Sequence, residues 1–142
     1  MGIEIHQVYG LTESCGPGCL ILREDALTRA GSTGRAYFHT DVRVIGLDGR
    51  DCAPDEPGEV LIRGPHNMLG YWKRPDATAQ ALRDGWLHTG DVGTMDAEGF
   101  VTIRDRMKDM LISVGENVSP AEVKNMLLGH QALADAAVIG LP

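Results

Sequence analysis

No apolar run in this 142-residue chain approaches the roughly 20 residues that a helix needs to cross a bilayer. The opening stretch, MGIEIHQ, lacks the basic and apolar regions of a signal peptide. His6 stands where a myristoylation pattern beginning at Gly2 wants Ser or Thr. Cysteine is scarce and odd in number, at Cys15, Cys19 and Cys52, which excludes a complete disulfide framework. No His pair lies near Cys15 and Cys19, so the spacing does not read as a zinc site. Reduced, partly buried thiols and a cytoplasmic location are the expectation. Basic residues are few: 13 Lys and Arg face 20 Asp and Glu, a formal net charge of −7. Nucleic-acid binding, which needs a basic face, is disfavoured. There is no internal repeat and no low-complexity segment.

What the chain does have is an ordinary soluble composition, 43% hydrophobic and 23% charged, with 18 glycines. Its length suits one modest domain. So much glycine predicts many turns and a strand-rich fold. IEIHQVY (3–9) alternates as a strand should, and GCLIL (18–22) is a short buried run. REDALTRAGSTG is polar, with room for one helical turn. DVRVIG and GEVLIRG, separated by the Asp48-Gly49 turn and a Pro-rich entry, read as antiparallel neighbours. RPDATAQALRDG predicts a helix with Pro75 in its first turn and Gly85 as its stop. WLHTGDVGTMDAEGFVTIRDR predicts a hairpin around 96–99. SPAEVKNMLLGH predicts a second helix, with Ser119 as cap, Pro120 at its first position and Glu122 completing a capping box. Val123, Met126 and Leu127 share a face expected to meet a core, and ADAAVIGLP is expected to close as a strand. The fold class is therefore α+β and strand-rich, an antiparallel sheet or partial barrel followed by a hairpin, helix and strand.

The chemistry-bearing stretches are weak one at a time. Tyr9 fits a core, Thr12 and Glu13 fit a turn, TGD (89–91) fits a loop, and Asp105-Arg106 fits a surface ion pair. Their order is more specific. YGLTE, then GEVLIRGPHNMLGYW, then GWLHTGDVG, then DRMKDMLISVGENVSPAEV resembles the adenylate-forming, AMP-binding superfamily across essentially the whole chain. Within it, LTESCG, LILREDALTRAGSTGRA and FHTDVRVI look most similar to bacterial long-chain fatty-acid–CoA ligases.

The resemblance implies a reaction in two halves. A carboxylate attacks the α-phosphate of ATP, and the thiol of coenzyme A then displaces AMP. It implies that residues 1–106 are the end of a large AMP-binding domain and 107–142 a hinge and the start of a small one. By resemblance, Tyr9 lies along the adenine and Gly10 permits close approach. Thr12 offers its hydroxyl to a phosphate, and Glu13 is the Mg²⁺ ligand. Asp91 accepts from the ribose hydroxyls, and Arg106 adds donors near ribose and phosphate. Lys108 takes the hinge position, and Gly115 lets the pantetheine arm pass, with Glu116 and Asn117 fitting the same pattern. His88, Val114 and Lys124 depart from the residues usual in relatives, whereas Ile112 is usual for the CoA branch.

The implied partners are ATP or AMP, Mg²⁺, coenzyme A and a carboxylic acid, a fatty acid by the finer resemblance; peripheral membrane contact by the full protein is compatible with such a substrate. The phosphate-wrapping loop and the distal lysine of the family are not in these 142 residues, so the chain alone is expected to be inactive as a ligase. Two other readings stay open: a non-catalytic nucleotide-binding or interaction module, and an adenylating enzyme with a carrier-protein acceptor.

Overall fold

The computed structural model describes residues 3, 5–113 and 116–140. Two antiparallel sheets carry the fold. The smaller has three strands in the order β1 (Val8–Leu11), β2 (Gly16–Leu20), β3 (Arg35–Ala36). The short helix α1 (Arg23–Ala26) lies between β2 and β3. The larger sheet runs β4 (Asp41–Ile45), β5 (Gly58–Arg63), β7 (Trp86–Met95). The ten-residue β7 serves two partners on its far edge. Its first residues pair with β6 (Leu82–Arg83), and its second half pairs with β8 (Val101–Arg106). Helix α2 (Pro75–Ala81) leads into β6. A two-stranded hairpin, β9 (Leu111–Ser113) and β10 (Glu116–Val118), and helix α3 (Pro120–Leu128) follow. This is the expected mixed, strand-rich antiparallel architecture.

The sheets meet in one core of Cys19, Val44, Val60 and Val101, against which Tyr9, Val42, Met95 and Ile103 pack. β5 and the start of β7 are covered on both faces and add Leu61, Ile62 and Leu87, all almost fully buried. The seam is closed by backbone. Val101 donates to the Gly34 carbonyl at 2.8 Å, and Thr33 donates to the Val101 carbonyl at 2.8 Å. Gly34 sits at φ +91°, and a Cβ there would stand 2.0 Å from the Leu20 backbone. Only glycine fits that crossing of strands.

Several expectations hold. β4 and β5 pair antiparallel from Asp41↔Arg63 to Ile45↔Glu59. The loop before β8 is pinned by Asp96, whose carboxylate accepts from the backbone N–H of Glu98 and Phe100 at 2.9 Å each. Ser119 caps α3 by accepting from the Glu122 N–H at 3.2 Å.

Others need correction. The first strand begins at Val8, not residue 3, and Ile3 and Ile5 are exposed, because β1 has a neighbour on one side only. Helix α2 ends at Ala81, short of Gly85. Asp84 and Gly85, both at positive φ, form a tight turn between β6 and β7. Met126 and Leu127 are exposed, since α3 meets the body of the protein near its start and nothing among the described residues covers that face. Residues 134–140 form no strand, although Gly140 comes close to Leu111 of β9. Of the thiols, Cys15 is exposed, Cys52 intermediate and Cys19 buried, and burial pushes the Cys19 thiol up to about 12. Among the described residues no helix is long and apolar enough to cross a membrane.

Gly34→Ala is expected to cost about 2 kcal/mol or more, from left-handed strain and the clash with Leu20 together. Urea denaturation of the variant checks this; an unchanged midpoint would contradict the role given to the seam.

Candidate functional site

Three segments far apart in sequence converge on one carboxylate. Tyr9, in β1 beside the register shift that leaves Gly18 of β2 unpaired, packs its ring against the core and donates its hydroxyl to Asp91 Oδ2 at 2.7 Å. Arg106, opposite Asp91 in the β7–β8 register, places Nε 3.1 Å from Asp91 Oδ1. Asp91 is 5% exposed, so each oxygen of a buried anion has a donor. Burial raises the Tyr9 hydroxyl well above its ordinary value, a Thr89 contact works the other way, and Asp91 raises it again. Tyr9 therefore stays protonated and donating. The Arg106 guanidinium is about half exposed and forms the open side of the cluster.

The Gly10–Ser14 stretch leads away from Tyr9. A Cβ on Gly10 would meet the Gly16 carbonyl of β2 at 2.5 Å, so the pairing of β1 with β2 itself demands glycine there. Thr12 opens a single 3₁₀ turn, Thr12–Ser14, with its side chain exposed. Ser14 is fully buried and donates to backbone carbonyls at Leu11 and Gly16. Glu13 accepts from the Tyr71 hydroxyl at 2.8 Å, and its own carbonyl accepts from the Met68 N–H at 2.8 Å. That contact with Glu13, ahead of partial burial, raises the Tyr71 hydroxyl above its ordinary value. His66 completes the support, with Nδ1 2.6 Å from the Ser14 carbonyl and Nε2 2.8 Å from the Thr40 hydroxyl. The loop after β5 thus fastens the Glu13 turn in place. In the sequence that loop stands out only as part of GEVLIRGPHNMLGYW, with no role legible for its residues. Polar His66 and Tyr71 directly after an apolar strand were the available signal.

Tyr9, Asp91 and Arg106 are brought together directly, and Gly10, Thr12 and Glu13 extend from the same strand end. Lys108 lies two residues beyond Arg106, exposed, in the 3₁₀ turn Met107–Asp109. Gly115 lies outside the described residues. An open pocket of about 610 Å³ adjoins the cluster at Thr89 and Gly90, lined also by Trp72, Arg74, Arg83 and His88. Tyr9, Asp91 and Arg106 are not on its wall, so the converging side chains rather than that cavity define the site.

The residue before Arg106 faces the other way. Asp105 Oδ2 accepts from the Ser119 hydroxyl at 2.5 Å and from the Ala121 N–H at 3.2 Å, tying the start of α3 to β8. Partial burial raises its carboxyl, but the bonds from Ser119, Arg106 N–H and Ala121 N–H outweigh it and hold the value below the ordinary 3.8.

A family model described as AMP-binding enzyme matches residues 1–72, half of the chain. The chain belongs to the AMP-binding enzyme family. It is 52% identical over 140 residues to long-chain-fatty-acid–CoA ligase FadD13 of Mycobacterium tuberculosis, covering 99% of this chain and 28% of that protein. It is 49% identical over 142 residues to feruloyl-CoA synthase of an Amycolatopsis species, covering 99% of this chain and 29% of that protein. The structure of o-succinylbenzoate coenzyme A synthetase from Bacillus subtilis, in complex with ATP and magnesium ion, superposes with a TM-score of 0.87 at 40% identity. That superposition covers 96% of this chain and 28% of the other. The chain therefore spans less than a third of the length of the AMP-binding enzymes it matches.

A carboxyl held low stabilises above its ordinary value and ceases to do so as pH falls through the lowered one. The Ala121 amide is thus expected to keep its protection from pH 7 to about 5 and to lose it on acidification below about 4. Asp105→Asn, which keeps an acceptor oxygen, is expected to flatten that dependence. Hydrogen exchange corrected for its intrinsic pH dependence checks both; protection independent of pH in the wild type would contradict the cap.

Proposed function

We propose that this chain is the nucleotide-holding portion of an ATP-dependent acid–CoA ligase. The observation that carries the reading is the convergence of Tyr9, Asp91 and Arg106 on one side of the larger sheet. A buried carboxylate has about four lone-pair sites, and Tyr9 and Arg106 use only part of them. Asp91 is thus equipped to accept from the two hydroxyls of a ribose. Arg106, half exposed, can swing toward a phosphate as the sugar arrives, and its planar fork suits that oxyanion. The Tyr9 ring is the flat surface beside them on which an adenine would lie, with Gly10 next in the chain. Thr12 and Glu13 then face the phosphates.

No group of three or more His, Cys, Asp or Glu gathers among the described residues. A magnesium ion here would rest on one protein carboxylate, Glu13, together with substrate phosphates and water, which is the usual habit of that ion. When bound it would neutralise charge on the phosphates. Glu13 is held for this by Tyr71 on one carboxylate oxygen.

The finer reading assigns residues 1–106 to the end of a large domain and 107–142 to a hinge and the start of a small domain. Lys108 is the pivot, supported by its exposure between two strands. The acid acceptor is coenzyme A and the acid a fatty acid. Supporting this are the 52% identity to the fatty-acid ligase and the CoA ligases among the relatives. Ferulate and succinylbenzoate are the competitors that other relatives name.

Calorimetry of the 142-residue chain with AMP tests the reading. Binding at millimolar concentration or tighter, weakened at least about tenfold in Asp91→Ala, is expected, with no acyl-CoA formed from ATP, CoA and fatty acid by the chain alone. Absence of heat at any concentration, or binding indifferent to Asp91→Ala, would overturn the nucleotide site.

A further inference from the structure

The aim of Asp91 is set by an irregularity in the sheet. Along β5 and β7 the register runs Gly58↔Gly93 and Glu59↔Val92, then resumes at Leu61↔His88 and Ile62↔Leu87. Three residues of β7, Thr89, Gly90 and Asp91, therefore stand opposite the single residue Val60. Such a bulge removes ladder hydrogen bonds and re-aims side chains. The freed backbone groups must find other partners, because they are half-buried or better.

They find two side chains. Thr89 donates its hydroxyl to the Val60 carbonyl at 2.7 Å and accepts from the Asp91 N–H at 3.0 Å. Gly90, at φ +71°, donates its N–H to Glu59 Oε1 at 3.1 Å. The other Glu59 oxygen lies 2.8 Å from His88 Nδ1, with Arg83 Nη2 3.9 Å away. His88 Nδ1 is also 2.6 Å from Arg83, and one ring nitrogen serves only one of them at a time: as N–H it donates to Glu59, and without a proton it accepts from Arg83. Glu59 keeps Gly90 in either case. Its side chain is 14% exposed, so it is a nearly buried acid with one oxygen on the Gly90 N–H and the other facing His88 and Arg83, beside the corner of β7 that carries Asp91.

We propose that Glu59 is a positioning residue that clamps the Thr89–Gly90 corner and so aims the Asp91 carboxylate at the ribose of a bound adenine nucleotide. The nucleotide part of this rests on the function proposed above; the clamp itself does not. The charge of Glu59 matters less than its acceptor at Oε1, because the bond that fixes the corner comes from a backbone N–H. A neutral amide can take that bond, and a methyl group cannot.

The test compares the wild-type chain with Glu59→Ala, Glu59→Gln, Asp91→Ala and the double variant Glu59→Ala/Asp91→Ala, all at neutral pH. In Glu59→Ala the Gly90 amide is expected to exchange at least about tenfold faster, since a charge-assisted bond is lost. The Thr94 amide, farther along β7, is expected to hold its rate and so to report an intact sheet. The Tyr9 ring resonances are expected to shift as Asp91 leaves its hydroxyl. Glu59→Gln is expected to restore the Gly90 rate. AMP binding is expected to weaken about tenfold in Glu59→Ala, to recover in Glu59→Gln, and to show no further loss when Glu59→Ala is added to Asp91→Ala. Unchanged Gly90 exchange in Glu59→Ala would overturn the clamp. Losses of AMP binding that add in full would show that Glu59 does not act through Asp91. A wild-type chain that binds no AMP would overturn the nucleotide reading, while the exchange and Tyr9 measurements would still decide the clamp.

Discussion

The fold is organised around an anion that water does not reach. Asp91 is almost wholly buried, and a carboxylate in that position is tolerable only with donors on its oxygens. The donors come from two different strands: Tyr9 from the first strand and Arg106 from the end of β8. Satisfying one charge therefore ties the small sheet to the large one. The pairing of β7 with β8 places Arg106 opposite Asp91, and Tyr9 reaches it from β1, next to the irregularity where β2 carries the extra residue Gly18.

The cost of that arrangement is borne locally. Opposite β5, β7 carries extra residues at Thr89–Asp91 and loses ladder bonds there. Thr89 and Glu59 replace the lost partners, one from within the bulge and one from the neighbouring strand. The Glu13 turn is handled alike: Ser14, His66 and Tyr71 satisfy its backbone and side chain from outside. In both places polar side chains with defined partners surround the irregular backbone, which is how a site is held without regular secondary structure. On the opposite side of Arg106, Asp105 spends its carboxylate on α3, so adjacent residues of one strand serve the site and the following segment separately.

What the sequence made legible was what is decided locally. Asp96 and Gly99 announce the hairpin, and Ser119-Pro120 announces the start of α3, because caps and turns are set by neighbours in the chain. The order of motifs pointed to Tyr9, Asp91 and Arg106, and the fold brings those three side chains together. What was not legible depends on partners distant in sequence. Nothing in Leu82–Arg83 announces a strand that exists only by pairing with Trp86 and Leu87. The periodicity of Val123, Met126 and Leu127 is real, yet no described residue covers that face. Glu59 looked like one polar position in a strand, and its role appears only once the β7 bulge brings the Gly90 N–H to it.

The central claim is that the carboxylate shared by Tyr9 and Arg106 is a ribose acceptor. Backbone amide and side-chain chemical shifts followed by NMR during addition of AMP test it most directly. The account predicts shifts concentrated at Tyr9, Gly10, Gly90, Asp91 and Arg106, with the 2′,3′-dideoxy nucleotide failing to reproduce those at Asp91. Shifts confined to other surfaces, or identical with the dideoxy nucleotide, would contradict it.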